Sequence, residues 1–198
     1  MSKKGSSVFR LTQYALLIAL LILAAYFPVK IFVEVTLCFL PVLFGAVLLG
    51  PGAGAFLGLI WGLFSYAQCF GWFVPSPFGA AMVAIDPVLW GVVCLVPRVL
   101  TGFLVGWLYR GLKKLGAKEW IACGLAGLTA ALLNTVLFLG GMMLLFGRSD
   151  YILQWRGVQT VWAFLVTVFG INCLTESSIG LVVGMAFANI VPALRRRA

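Results

Sequence analysis

The sequence predicts an all-α integral membrane protein, a compact bundle of six transmembrane helices with both termini in the cytoplasm, and three observations carry that reading. Of 198 residues, 63% are hydrophobic and 10% charged, against about 25% charged in a soluble domain. The apolar residues gather into six runs near the ~20 residues that a span requires, so one transmembrane domain fills 1–198 and no large extramembrane domain fits. Basic residues also divide unevenly between the loops. With both termini on one side, that side holds the ten residues Lys3, Lys4, Arg10, Arg110, Lys113, Lys114, Lys118, Arg195, Arg196 and Arg197. The other side holds Lys30, Arg148 and Arg156. Such an imbalance places the richer side in the cytoplasm and requires an even number of spans. The net charge of +9 then reflects topology in a cell membrane and not a nucleic-acid partner.

The first run, 11–29, closes at Pro28 and Lys30. It reads as a retained helix, because no small-residue cleavage site is followed by a polar stretch. The second, 33–49, carries Pro41, and only a short loop with Lys30 and Glu34 precedes it. Gly50-Pro51-Gly52 makes a turn into the third run, 53–70, and the two form a tight helical hairpin. Residues 71–86 change character, with Trp72, Phe73, Pro75, Pro77 and Gly79 disfavouring a straight helix yet apolar enough to pack as a lid. The fourth run, 87–109, contains Pro97-Arg98, and the fifth, 119–146, has Asn134 near its middle. A polar loop over 147–157 precedes the last run. At 1.5 Å per residue, 158–191 would reach roughly 50 Å, too long for one upright span, so the span is taken as about 160–190 and the first turns as an external loop or cap. Trp107, Tyr109 and Trp120 fall at the inner interface and Trp72, Trp155 and Trp162 near the outer one, as an aromatic belt does.

What is missing narrows the function. No histidine occurs anywhere, which removes HExxH metal sites, His-based triads and imidazole relays. The chain has no GxxxxGK[ST] or GxSxG, and its five acidic residues do not cluster. Cys38, Cys69, Cys94, Cys123 and Cys173 are spread one per apolar segment, as small fillers. The expectation is a protein that is not an enzyme and uses no metal or cofactor. Any uphill movement of a solute must draw energy from a partner or an ion gradient.

Small residues at four-residue spacing let helix backbones approach closely. Gly50, Gly54, Gly58 and Gly62 form one such set, and Gly102 with Gly106 and Gly180 with Gly184 form two more, all read as packing within the bundle. Ala15 and Ala19 make a similar face on the first helix, either packed internally or exposed for docking. Arg98 lies inside the fourth run, where an unpaired arginine costs roughly 2.5–3.5 kcal/mol. Glu176 and Asn172, one helical turn apart, lie in the sixth, and Asn134 is at similar depth in the fifth. Two arrangements suit these residues. In one, Arg98 and Glu176 pair while the asparagines bond between helices. In the other, they line a polar pocket where Arg98 receives a carboxylate and Asn134 and Asn172 read hydroxyl or amide groups.

The hairpin FLPVLFGAVLLGPGAGAFLGLIWG over 39–62, then LVPRVLTG over 95–102, Asn134-Thr135, and Asn172 with Glu176 resemble the substrate-binding S components of energy-coupling-factor (ECF) vitamin transporters. Val-Pro-Arg in the fourth span, Asn-Thr in the fifth and Asn-xxx-Glu in the sixth are most similar to the pantothenate type. The resemblance implies a six-helix protein that captures a vitamin near the outer side and toppling in the membrane as the delivery step. It also implies two kinds of partner, a membrane-embedded coupling subunit and two ATP-binding cassette ATPases, with Ala15 and Ala19 docking on the coupling subunit. Pantothenate has one carboxylate, an amide and two hydroxyls, which suit one arginine and two asparagines. Arg98 would anchor the carboxylate, Asn134 and Asn172 would bond the polar middle, and Glu176 would orient Arg98 or accept a hydroxyl. Trp72, Phe73 and Trp90 would form an apolar lid, although 71–86 does not match a pantothenate site residue by residue. The competing readings are an S component for another vitamin, a stand-alone carrier coupled to protons through Glu176, an intramembrane enzyme acting on a lipid, and a structural scaffold.

Overall fold

The computed structural model describes residues 3–26, 29–30, 34–35, 37–157 and 160–196, with the backbone alone at 3–7, 29–30, 34–35, 155–156, 161–162, 164–169, 171–172 and 196. The described elements are helices, apart from one short ladder. Helix α1 spans Lys3–Tyr26. Strands β1, Val29–Lys30, and β2, Glu34–Val35, pair antiparallel with Lys30 opposite Glu34, a detail that the apolar pattern did not signal. Helix α2, Phe39–Leu48, tolerates Pro41 because a first-turn position has no helical acceptor for the N–H that proline lacks. Gly50 follows with φ of 104°, a backbone that side chains resist, and Pro51 opens α3, Pro51–Gln68.

Residues 71–86, irregular by sequence, resolve into a turn and α4, Pro77–Ile85. Proline here starts a helix instead of breaking one, and the Ser76 hydroxyl caps it by accepting from Gly79 N at 3.2 Å. Helix α5, Pro87–Lys114, has a stronger cap: Asp86 Oδ1 accepts from both Val88 N and Leu89 N at 2.9 Å. Helices α6, Glu119–Phe146, and α7, Asp150–Arg156, follow, the latter capped by Ser149. Thr160 caps α8, Val161–Phe187. A last helix, α9, covers Val191–Arg196.

Among the described residues, Val8–Tyr26, Pro87–Lys114 and Glu119–Phe146 are long and apolar enough to cross a membrane. Helix α2 is the axis of the bundle, touching α1, α3, α5, α6, α8 and α9. Around it, α3 lies along α5 and α6 along α8, and both seams are made by glycine. A methyl group on Gly54 would strike the Gly102 carbonyl, on Gly58 the Arg98 carbonyl, and on Gly127 the Gly180 carbonyl. The glycine sets are therefore packing devices, as read from the sequence. A second, smaller core gathers under α4 around Met82, Trp90, Met142 and Phe146. At the opposite end, the Tyr109 hydroxyl donates to Glu119, and Lys113 Nζ lies 2.9 Å from the other Glu119 oxygen. Arg195 donates to the Val47 carbonyl at 2.7 Å and lies over the Tyr109 ring, fastening α9 to α2 and α5.

Candidate functional site

The α3–α5 seam decides where Arg98 stands. Gly58 brings the two backbones together at the Arg98 carbonyl, and Trp61, nearly one turn further along α3, then lies beside the guanidinium, 5.2 Å from ring centroid to Cζ. Phe138 of α6 covers the other approach at 4.9 Å. Arg98 is only 8% exposed, so its charge sits in an aromatic slot, a contact that a desolvated cation makes favourably.

Pro97 contributes through what it lacks. Without an N–H it leaves the carbonyl of Val93, four residues earlier, without its helical donor. Arg98 Nη1 donates to that carbonyl at 3.3 Å and to Cys94 O at 2.7 Å. The side chain is thus folded back along its own helix, the direction helical side chains favour. Two of five N–H donors are accounted for in this way. Nε is buried without a partner among the described residues. No contact joins Arg98 to Glu176 among those described.

Beside the guanidinium opens a small cavity of about 120 Å³. Arg98, Trp61, Ser65 and Gln68 form one wall, Ala24 and Ala25 of α1 another, and Val74, Pro75 and Ser76 of the α3–α4 loop close the end. Cys38 and Phe64 complete the lining, and Glu176, buried in α8, is not part of it. Asn134 is one turn from Phe138 on α6 and shares its face. Its Oδ1 is buried with no hydrogen-bond partner among the described residues, as are the hydroxyls of Thr101 and Ser177. Buried polar atoms in a folded chain are normally bonded, and of these unpartnered atoms only Arg98 Nε belongs to a residue that lines the cavity, where it suits an anionic guest; Asn134, Thr101 and Ser177 do not line it. Among the described residues no set of three His, Cys, Asp or Glu side chains is placed to hold a metal.

The other expected site residues separate. Phe73, in a left-handed backbone with φ of 63°, packs on Tyr26 and on Phe64, which lines the cavity, while Phe73 itself does not. Trp72 is 67% exposed. Trp90 lies in the second core, its indole N–H donating to Cys69 Sγ at 3.2 Å and its ring edge-on to Phe78, Phe138 and Phe146. It holds α4 against α5 and α6. The Asn172 side chain lies outside the described residues. Ala15 and Ala19 are exposed on the face of α1 opposite the buried Leu17 and Leu21, so they do not pack within the bundle. Trp61, Phe138, Ser65 and Gln68 had no individual sequence signal. Trp61 looks like core inside an apolar run, and only the spacing of Phe138 from Asn134 hints at a shared face.

The family model for "ECF transporter, substrate-specific component" matches residues 9–188. The chain is 34% identical over 178 residues to the pantothenic acid transporter PanT of Lactococcus lactis subsp. cremoris, covering 86% of this chain and 80% of the relative. It is 29% identical over 162 residues to the pantothenate transporter PanT of Leuconostoc mesenteroides subsp. mesenteroides, covering 77% and 72%.

Proposed function

Because the chain belongs to the family of substrate-specific components of ECF transporters, we propose that it is the pantothenate-capturing subunit of an ATP-driven importer in the cell membrane. The observation that carries this reading is the Arg98 guanidinium, buried between Trp61 and Phe138 and opening into a cavity with donors to spare. A carboxylate is the planar acceptor that matches such a fork. Pantothenate brings one carboxylate, and the names of the two relatives favour the same ligand. Asn134 then bonds the polar middle of the ligand together with Asn172, Glu176 orients Arg98 or accepts a hydroxyl, and Phe73 belongs to a lid over the mouth.

In this reading six spans cross the membrane with both termini in the cytoplasm. A membrane-embedded coupling subunit and two ATP-binding cassette ATPases supply the energy. The exposed Ala15–Ala19 stripe of α1 is the docking face, and the loaded subunit topples to release its ligand inward.

Thermal unfolding of the detergent-purified chain against a panel of B vitamins tests the capture step. Pantothenate at a thousandfold excess over its dissociation constant should stabilise the fold by about 4 kcal/mol. In Arg98→Ala the affinity should fall by about 2 kcal/mol or more, the worth of charge-assisted hydrogen bonds. Stabilisation by a different vitamin would overturn the ligand and keep the family. No response to any vitamin would overturn capture itself.

A further inference from the structure

One wall of the cavity is a ladder on a single face of α3, and its spacing sets a ruler against the ligand. Trp61, Ser65 and Gln68 stand at i, i+4 and i+7, and all three line the cavity. At 1.5 Å per residue, Ser65 is about 6 Å and Gln68 about 10 Å along the helix from the level of Trp61, where the guanidinium lies. The Gln68 end is also the lid end. Its carbonyl accepts from Gly71 N and Ser76 N, both at 3.2 Å, and ties the loop to the helix. The side-chain amide of Gln68 has no described hydrogen-bond partner in the protein, while its backbone is fixed by these two bonds.

Resting on the reading of the ligand as pantothenate, we propose that it stands upright along α3 with its carboxylate beside Arg98 at the level of Trp61, its amide beside Ser65 and its distal hydroxyl against Gln68, which makes Gln68 a specificity-determining residue. The lengths agree. In extended pantothenate the amide carbon is four bonds from the carboxylate carbon, about 5 Å, and the distal hydroxyl oxygen is eight bonds away, about 10 Å, for covalent bonds of 1.3–1.5 Å. The chemistry agrees as well. A hydroxyl donates and accepts, and a primary carboxamide offers both functions from one planar group. An ammonium or a carboxylate at position 68 would offer only one. The ordering also explains why the charged end of the cavity is deep and its uncharged polar end is beneath the loop: the distal hydroxyl is the last group to enter and the nearest to the closing segment.

The test is calorimetric titration of the purified full chain with pantothenate and with the analogue that lacks only the distal hydroxyl. The wild-type chain should prefer pantothenate by about 10-fold, the worth of one neutral hydrogen bond. Gln68→Met keeps the length of the side chain and removes its polar atoms. It should weaken pantothenate by about the same factor, leave the analogue unchanged, and match the wild type in ligand-free thermal stability. Gln68→Ala, run beside it, should give the same pattern. A variant that weakens both ligands alike, or that keeps the wild-type preference, would overturn the assignment of Gln68. So would a wild-type chain that does not distinguish the two ligands. Failure of the wild-type chain to bind pantothenate at all would instead overturn the ligand reading on which the proposal rests.

Discussion

At the scale of single residues, the consequential neighbours are Pro97 and Arg98. A proline inside a helix normally costs about 3 kcal/mol because it abandons one carbonyl. In α5 that carbonyl belongs to Val93, and the arginine that follows the proline donates to it. Pro97→Ala restores a backbone donor to Val93 O and removes one of the two anchors that aim the guanidinium. The expected outcome is a chain at least as stable without ligand and several-fold weaker in pantothenate affinity. Parallel unfolding and titration of the variant check it, and undiminished affinity would count against a positioning role for Pro97. Sequence reading found Arg98 from its cost inside an apolar run. It could not assign Trp61 or Phe138 to the slot, because an aromatic residue in such a run has the same appearance whether it fills the core or flanks a cation. Trp90 shows the converse: a large ring near the lid segment proves to be the centre of a separate core.

Among the elements, the α3–α5 seam couples stability to the site. Gly58 touches the carbonyl of Arg98 itself, and backbone cannot rotate away as a flexible side chain can. Gly58→Ala should therefore separate the helices, cost about 1–3 kcal/mol as overpacking does, and carry Arg98 away from Trp61 so that ligand affinity falls with stability. Gly140→Ala is the internal control, since a methyl there meets nothing within 4 Å. It should leave both quantities unchanged or improved. Equal effects of the two substitutions on unfolding would remove the argument from backbone contact. The four-residue glycine spacing is legible in the sequence because close packing demands it on one face. Which carbonyl each glycine meets is not legible, because that depends on the axial register of two helices distant in the chain. Element starts were partly legible, from the turn at Gly50-Pro51-Gly52 and from the run that opens at Pro87. The same Pro77 that argued against a helix in 71–86 is the residue that begins α4.

On the scale of the molecule, the outer surface is apolar, with Leu144 85%, Val88 75% and Leu16 70% exposed on three different helices. In water such a surface would aggregate; in a bilayer it is solvated, which agrees with a membrane protein of this family. Ala15 and Ala19 form a small-residue interval in the α1 part of that surface, suited to a close helix approach from outside the chain. With both changed to tryptophan, ligand affinity should match the wild type, because the pocket-facing Ala24 and Ala25 lie on the other side of α1. Uptake in vesicles containing the coupling subunit and ATPases should fall to background. Normal uptake by the doubly substituted chain would eliminate this face as the docking surface.

The amino-acid sequence alone determined the helical membrane class, the small-residue faces and the few polar residues worth placing, because each follows from composition, spacing or the cost of charge in hydrocarbon. It also carried the family resemblance. Only the tertiary structure decided that Arg98 lies in a slot between α3 and α6, that Ala15 and Ala19 face outward, and that Ser65 and Gln68 line the cavity while Trp90 does not. Those outcomes depend on how helices rotate and slide against one another. Their rotation and register are set by glycine-to-carbonyl contacts between segments far apart in the chain, which no local pattern encodes.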